Sequence, residues 1–166
     1  MKFIRTYFVI VILSICNHAF SQNNFIKITA FTGISHQIVT FTKNETIYNF
    51  SGFYQVSFPV GMTFWKKPDF GFSFELTPSI RSENGSSKMN NLTFQPGVVF
   101  GLKNDFRFFG RAAFETSGRY GFTPILSKTF YKAKDHSFYA SLSSPFRFGN
   151  NADASMGLTI QVGVSF

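Results

Sequence analysis

Few residues in this 166-residue chain are of types that do chemistry. It carries three histidines, His18, His36 and His136, one cysteine, Cys16, and eight carboxylates against sixteen lysines and arginines. Acyl transfer or hydrolysis through a serine needs a histidine base within hydrogen-bond reach of the nucleophile. No His-x-Ser spacing occurs, and the adjacent His136 and Ser137 point to opposite faces of an extended chain. A structural or catalytic metal needs three or four converging nitrogen, sulfur or carboxylate ligands. The scattered histidines and single thiol offer no such set, so no catalytic residue, metal or cofactor is expected. The charged residues are more informative. Glu75, Arg107, Arg111 and Glu115 share one phase of the surrounding pattern, whereas Lys43, Arg81, Arg119 and Arg147 lie near segment ends. What these charges do depends on the elements that carry them.

The formal charge is +8, but no run of basic residues exceeds the pair Lys66-Lys67. Such scatter argues against a nucleic-acid partner, which calls for a clustered basic face. Two of the positive charges sit in a distinct leader. Lys2 and Arg5 precede an apolar run at residues 7–15, and Ala19-Phe20-Ser21 supplies small residues around a cleavage point. That layout predicts a secretory signal peptide over residues 1–21, too short to span a bilayer as a helix. Bulky Ile15 immediately before Cys16 fits lipoprotein processing poorly, so the cysteine is expected to leave with the leader. Residues 22–166 then form a single domain without a thiol, and backbone pairing and packing must stabilise it.

Within that domain period two recurs and helical periodicity does not. Tyr54, Val56, Phe58, Val60, Met62 and Phe64 alternate with Gln55, Ser57, Pro59, Gly61 and Thr63. Phe70, Phe72, Phe74, Leu76, Pro78 and Ile80 alternate with Asp69, Gly71, Ser73, Glu75, Thr77 and Ser79. The same holds over residues 92–103, 106–116, 137–148 and 154–166, with a noisier pattern over 25–42 and the least regular one over 120–130. Clusters of Gly, Asn, Asp, Ser and Pro separate the eight segments, and such residues reverse a chain. Connections this short join antiparallel neighbours only.

The polar phase is small and mostly uncharged, as in Gly157, Thr159, Gln161, Gly163 and Ser165. A solvated outer surface would be rich in lysine and glutamate. Small polar residues instead suit the crowded interior of an eight-stranded barrel. Of the 166 residues 25 are phenylalanine, and they recur on the apolar phase with no second sheet to cover them. Lipid can cover them. A closed ring satisfies its backbone groups between strands, the condition for standing in hydrocarbon. The expected fold is therefore all-β: an eight-stranded antiparallel up-and-down transmembrane β-barrel.

With strand number, even parity and the closing stretch LTIQVGVSF, the chain resembles the small eight-stranded outer-membrane barrels, such as the OmpA transmembrane domain and the OmpX-like proteins. The resemblance covers about residues 25–166. It implies the outer membrane of a Gram-negative bacterium, with outer-membrane lipid, lipopolysaccharide and the barrel-assembly machinery as partners. It also implies that the terminal aromatic, Phe166, belongs to the assembly signal. Unlike full-length OmpA, the chain is not expected to carry a periplasmic domain after the barrel, so the resemblance does not imply peptidoglycan anchoring.

Both barrel ends then face the periplasm, with turns at residues 66–68, 103–105 and 131–136. The external loops centre on Asn44, residues 81–91, 117–119 and 149–153, and the first hairpin should project. His36 and His136 fall at opposite ends and cannot share a site. Glu75, Arg107, Arg111 and Glu115 are expected to form a charge network plugging the lumen, with Arg111 reaching Glu75 across Gly97. Lys43, Arg81, Arg119 and Arg147 near the outer rim are candidate contacts to lipopolysaccharide phosphates, whose geometry arginine matches. The expected role is structural, or a surface interaction with a protein partner through the loops and first hairpin. A narrow channel and a lipid-A-modifying enzyme are the alternatives.

Overall fold

Residues 27–166 are described by the computed structural model, and the expected signal peptide lies outside them. The alternating segments fold into β1 (Lys27–Thr42), β2 (Thr46–Tyr48), β3 (Phe53–Ser57), β4 (Val60–Lys67), β5 (Phe70–Glu83), β6 (Ser86–Gly101), β7 (Phe106–Glu115), β8 (Tyr120–Lys132), β9 (Ser137–Ser143), β10 (Phe146–Phe148) and β11 (Ser155–Ser165). Eleven segments make eight staves because two prolines and the loop at residues 49–52 each interrupt a stave. The register of β1 runs without slip from Ser35↔Ser57 to Thr32↔Val60, so β3 and β4 are one stave interrupted at Phe58-Pro59. Likewise β11 pairs Thr159↔Ser143 and Met156↔Phe146, so β9 and β10 are one stave interrupted at Ser144-Pro145. Proline removes a donor but keeps its carbonyl. Gly33 N–H still donates to Pro59 O at 3.0 Å, and Gly157 N–H to Pro145 O at 2.8 Å.

Each stave pairs antiparallel with its sequence neighbours, and β1 closes the ring on β11 from Phe31↔Ser165 to Thr42↔Ser155. Phe166 extends the seam, its N–H donating to Ala30 O at 2.9 Å. A bulge between Gln37 and Val39 inserts Ile38 and flips the phase of β1. That slip is the physical cause of the noisy alternation in this segment.

The apolar phase faces outward all round the ring. Phe74, Leu126 and Val162 are 44, 44 and 52% exposed, and large apolar side chains from every stave share this belt. Soluble monomers rarely expose a continuous apolar surface of this extent. With the backbone paired around the ring, the molecule is a transmembrane β-barrel.

One end carries the tight turns, including the 3₁₀ turn Lys103–Asp105. The other carries two extensions. Residues 81–91, expected as a loop, are strand: β5 and β6 pair as far as Glu83↔Ser86. Only Asn84-Gly85 turns, with φ of 51° and 73°, the twist-matched geometry of a two-residue hairpin. The neighbouring β7 reaches only to the level of Thr93↔Glu115, so the tip of this hairpin stands clear of it. The first hairpin extends through β2, which pairs with β1 before residues 49–52 loop out. Asn49 pins that loop, accepting from Gln55 N–H at 2.8 Å and donating to Gln55 O at 2.9 Å.

Candidate functional site

The lumen is built in layers, starting at the turn end with an apolar plug. Trp65, Val99, Phe109 and Ile125 form one buried cluster inside the ring. Phe31 and Tyr139, also buried, meet each other edge to face at 6.5 Å. Glycines make the space, for a Cβ on Gly61 would lie 2.5 Å from the Phe31 ring and one on Gly163 equally close to that of Tyr139. The polar ends of the aromatics are satisfied: Trp65 Nε1 donates to Thr29 Oγ1 at 3.2 Å, and Tyr139 Oη accepts from Gln161 Nε2 at 2.8 Å. Of the expected charge network, Arg107 stays at this level. Its guanidinium lies 5.3 Å from the Trp65 ring and pairs with neither lumen glutamate.

Above the plug, Arg111 and Glu75 form an ion pair whose side chains are only 3 and 4% exposed. Arg111 projects from β7 across the level of Gly97 in β6, where a Cβ would lie 2.8 Å from Arg111 Cγ. Arg111 Nη2 also donates to Ser73 Oγ at 2.9 Å. Glu75 accepts from Gln95 Nε2 at 2.9 Å and Thr77 Oγ1 at 2.8 Å, so the carboxylate is held on three sides. The guanidinium is further flanked by the rings of Phe109 and Phe31, at 4.6 and 5.3 Å. Beneath the pair remains a void of about 30 Å³ lined by Glu75 and Arg111, room for about one water molecule.

A cavity of about 300 Å³ lies above it, reaching the long-hairpin end. Glu75 and Gln161 line both spaces and form part of the partition. The vestibule wall is mostly amides, hydroxyls and arginines, with Ile47, Phe53, Pro59, Ile125 and Pro145 set among them. Glu115, the fourth member of the expected network, is here and away from the Glu75–Arg111 pair. Its partner is Arg147 at 2.6 Å, both side chains nearly buried. Arg147 also donates to Thr123 Oγ1 at 3.1 Å, and Arg119 Nη2 to Arg147 O, Asp153 O and Ser155 Oγ at 2.8–3.1 Å.

Those partners change the picture drawn for the rim. Arg119 and Arg147 turn into the vestibule because Glu115 and strand-end carbonyls hold them there, so they do not present their guanidinium groups to lipid phosphates on the outer wall. Arg81 also lines the vestibule, paired with Glu83 at 3.0 Å and lying 3.9 Å over the Phe53 ring. Lys43 alone of the four sits exposed in a turn, at the tip of the first hairpin. The two histidines of the barrel lie at opposite ends. His36 Nδ1 is 3.2 Å from Tyr54 Oη, and His136 occupies a tight turn. Among the described residues no group of three metal-ligating side chains converges.

The apolar plug escaped the sequence reading, although the phase contained it. Phe109 lies midway between Arg107 and Arg111, two lumen positions, and Trp65 and Val99 continue the phases of Thr63 and Gly97.

At the tight-turn end, Lys132 hydrogen-bonds Asp105 and holds its carboxyl below the usual range.

No protein-family model matches the chain, and no curated protein matches it. Among solved structures it is similar to a de novo designed transmembrane β-barrel at 10% identity, over 84% of this chain and 93% of that one, with a TM-score of 0.48. It is similar to the designed TMB2.3, solved by solution NMR, at 10% identity over 83 and 91% of the two chains, with a TM-score of 0.45. The outer membrane protein OprG from Pseudomonas aeruginosa matches at 7% identity over 83 and 93%, also with a TM-score of 0.45. The ring described above rests on its own strand pairings.

Proposed function

We propose that this chain is a non-catalytic outer-membrane barrel of a Gram-negative cell, acting through surface interactions at its long-hairpin end. The observation that carries the proposal is the contrast between the two ends of the ring. One is trimmed to tight turns, while at the other β2 pairs only with β1 and β6 runs on past the end of β7, which leaves two strand edges without a partner strand. Strand edges outside the membrane offer unpaired backbone donors and acceptors, which an extended segment of a protein partner can meet. Resemblance to the OmpA transmembrane domain and OmpX-like proteins belongs to this reading, with both chain ends in the periplasm and the hairpins outside. Phe166, bonded into the seam, is the proposed assembly-signal residue.

The sealed lumen supports the same reading against a pore. A hydrated path would have to cross the Trp65–Val99–Phe109–Ile125 cluster and the Glu75–Arg111 pair.

The experiment is crosslinking on intact cells from a photoreactive residue at Asn44 and, separately, at Lys88. A discrete protein adduct from either position, lost when residues 37–51 or 82–90 are shortened, is the expected result. Surface-displayed barrel without any adduct, or steady single-channel current through the parent, refutes it. A mass shift in lipid A on expression would make the protein an enzyme instead.

A further inference from the structure

The vestibule is more than the open half of a filled barrel. Its volume of about 300 Å³ falls at the lower end of small-molecule pockets, which run from roughly 300 to 1,000 Å³. It is blind, because the Glu75–Arg111 pair and the apolar cluster close its floor. Its wall selects by chemistry. Gln37, Gln55, Asn90 and Gln161 supply amides, and Thr77 and Thr159 supply hydroxyls. An apolar solute would strip these groups of water and return no hydrogen bonds.

The charges divide unevenly. Glu75 is taken by Arg111, Glu115 by Arg147, and Arg81 by Glu83. Arg119 is left over. It donates to two backbone carbonyls and a serine hydroxyl, and it is in no ion pair among the described residues. Its Nε is buried without an acceptor. Two more orphans lie at the floor: Arg111 Nε has no acceptor, and Gln95, only 6% exposed with its Nε2 engaged by Glu75 and Thr77, has no donor for its Oε1. The wall thus holds an uncompensated cation and a buried acceptor, among groups that suit hydroxyls.

We infer that the vestibule binds a monosaccharide-sized, hydroxyl-rich anion, a sugar acid or a sugar phosphate. Arg119 takes the anionic group, and Gln95 Oε1 accepts from a ligand hydroxyl. Carboxylate and phosphate share this chemistry, since a guanidinium fork matches both. The inference rests on the lumen alone, so it stands or falls independently of the surface-interaction proposal.

The test is calorimetry on the purified barrel in detergent micelles with four probes: glucuronate, glucose 6-phosphate, glucose and inorganic phosphate. Saturable binding of one of the two sugar anions is expected, with glucose and phosphate weaker by about tenfold or more. The tighter of the two sugar anions identifies the anionic group. Arg119→Gln should weaken that binding by about tenfold or more, and Gln95→Met by several-fold. Side-chain NMR of the parent needs no variant: the Arg119 Nε–H and Gln95 amide signals should shift with the same saturation curve. The inference is overturned if neither sugar anion binds saturably by about 10 mM, or if glucose or inorganic phosphate binds as tightly. It is equally overturned if the folded variants bind undiminished, or if the saturating shifts fall outside the vestibule.

Discussion

Replacing Arg111 with alanine removes the one cation that faces Glu75 inside the ring. The Glu75 side chain is 4% exposed and would keep only Gln95 and Thr77 as donors. Breaking a buried ion pair from one side costs about 3–5 kcal/mol, because the surviving charge stays desolvated. The loss should sit toward the upper part of that range. Arg111 also fills the space over Gly97, bonds Ser73 and packs against Phe109. Taking away both charges is a different perturbation. In Glu75→Gln/Arg111→Met the amide still accepts from Gln95, no bare charge remains, and a methionine occupies part of the vacated volume. The double variant should therefore recover at least about 2 kcal/mol of the single-variant loss. The chain supplies its own probe: Trp65 is its single tryptophan, 7% exposed, and lies in the plug beneath the pair. Urea unfolding in lipid vesicles, followed by Trp65 emission for the parent, Arg111→Ala, Glu75→Gln, Arg111→Met and the double variant, completes the cycle. An Arg111→Ala variant as stable as the parent, or losses that add without coupling, would refute a buried, mutually dependent pair.

Gly97→Val should fail to reach the membrane-inserted state, since its Cβ would lie 2.3 Å from Gly110 O and 2.7 Å from Arg111 Cα, where backbone cannot yield; heat-modifiable gel mobility reports the outcome. Glu115→Gln should cost about 1.5–3 kcal/mol, the scale of a hydrogen bond to a charged group. Because the Glu115 and Arg147 side chains are only 12 and 11% exposed, the difference from the parent should change little as salt is raised. Asn49→Ala removes both bonds to Gln55 and should leave the barrel intact while protease cuts the first hairpin faster within residues 49–52. Lys132 lowers the Asp105 carboxyl, so that contact contributes above the usual aspartate value and is lost as pH falls through the lowered one. In Lys132→Ala the Asp105 titration, followed by carboxyl NMR, should move up.

Secondary structure and facing were legible because both depend on period two, which is local. Phe72, Phe74 and Leu76 lie outside the ring and Ser73 and Glu75 inside, as their alternation requires. The Glu75–Arg111 pair was legible for a related reason. In a meander of short turns neighbouring staves can align in few ways, and a glycine between two long side chains marks a crossing. Other features needed the closed ring. Residues 81–91 look like a loop because Ser, Asn and Gly dominate, yet Asn84-Gly85 is a complete turn and cross-strand pairing makes strand of the rest. Composition cannot distinguish a loop from a hairpin whose partner strand is equally polar. The bulge at Ile38 was invisible because one inserted residue changes phase without changing chemistry. Vertical position inside the barrel was the hardest to read. Glu75 and Glu115 share a phase but choose different arginines, because stagger between staves sets which lumen residues lie level. The same stagger gathers Trp65, Val99, Phe109 and Ile125 from four staves into one plug and turns Arg147 and Arg119 into the mouth. Alternation assigns a residue to a face; only closure of the ring assigns it a height and a partner.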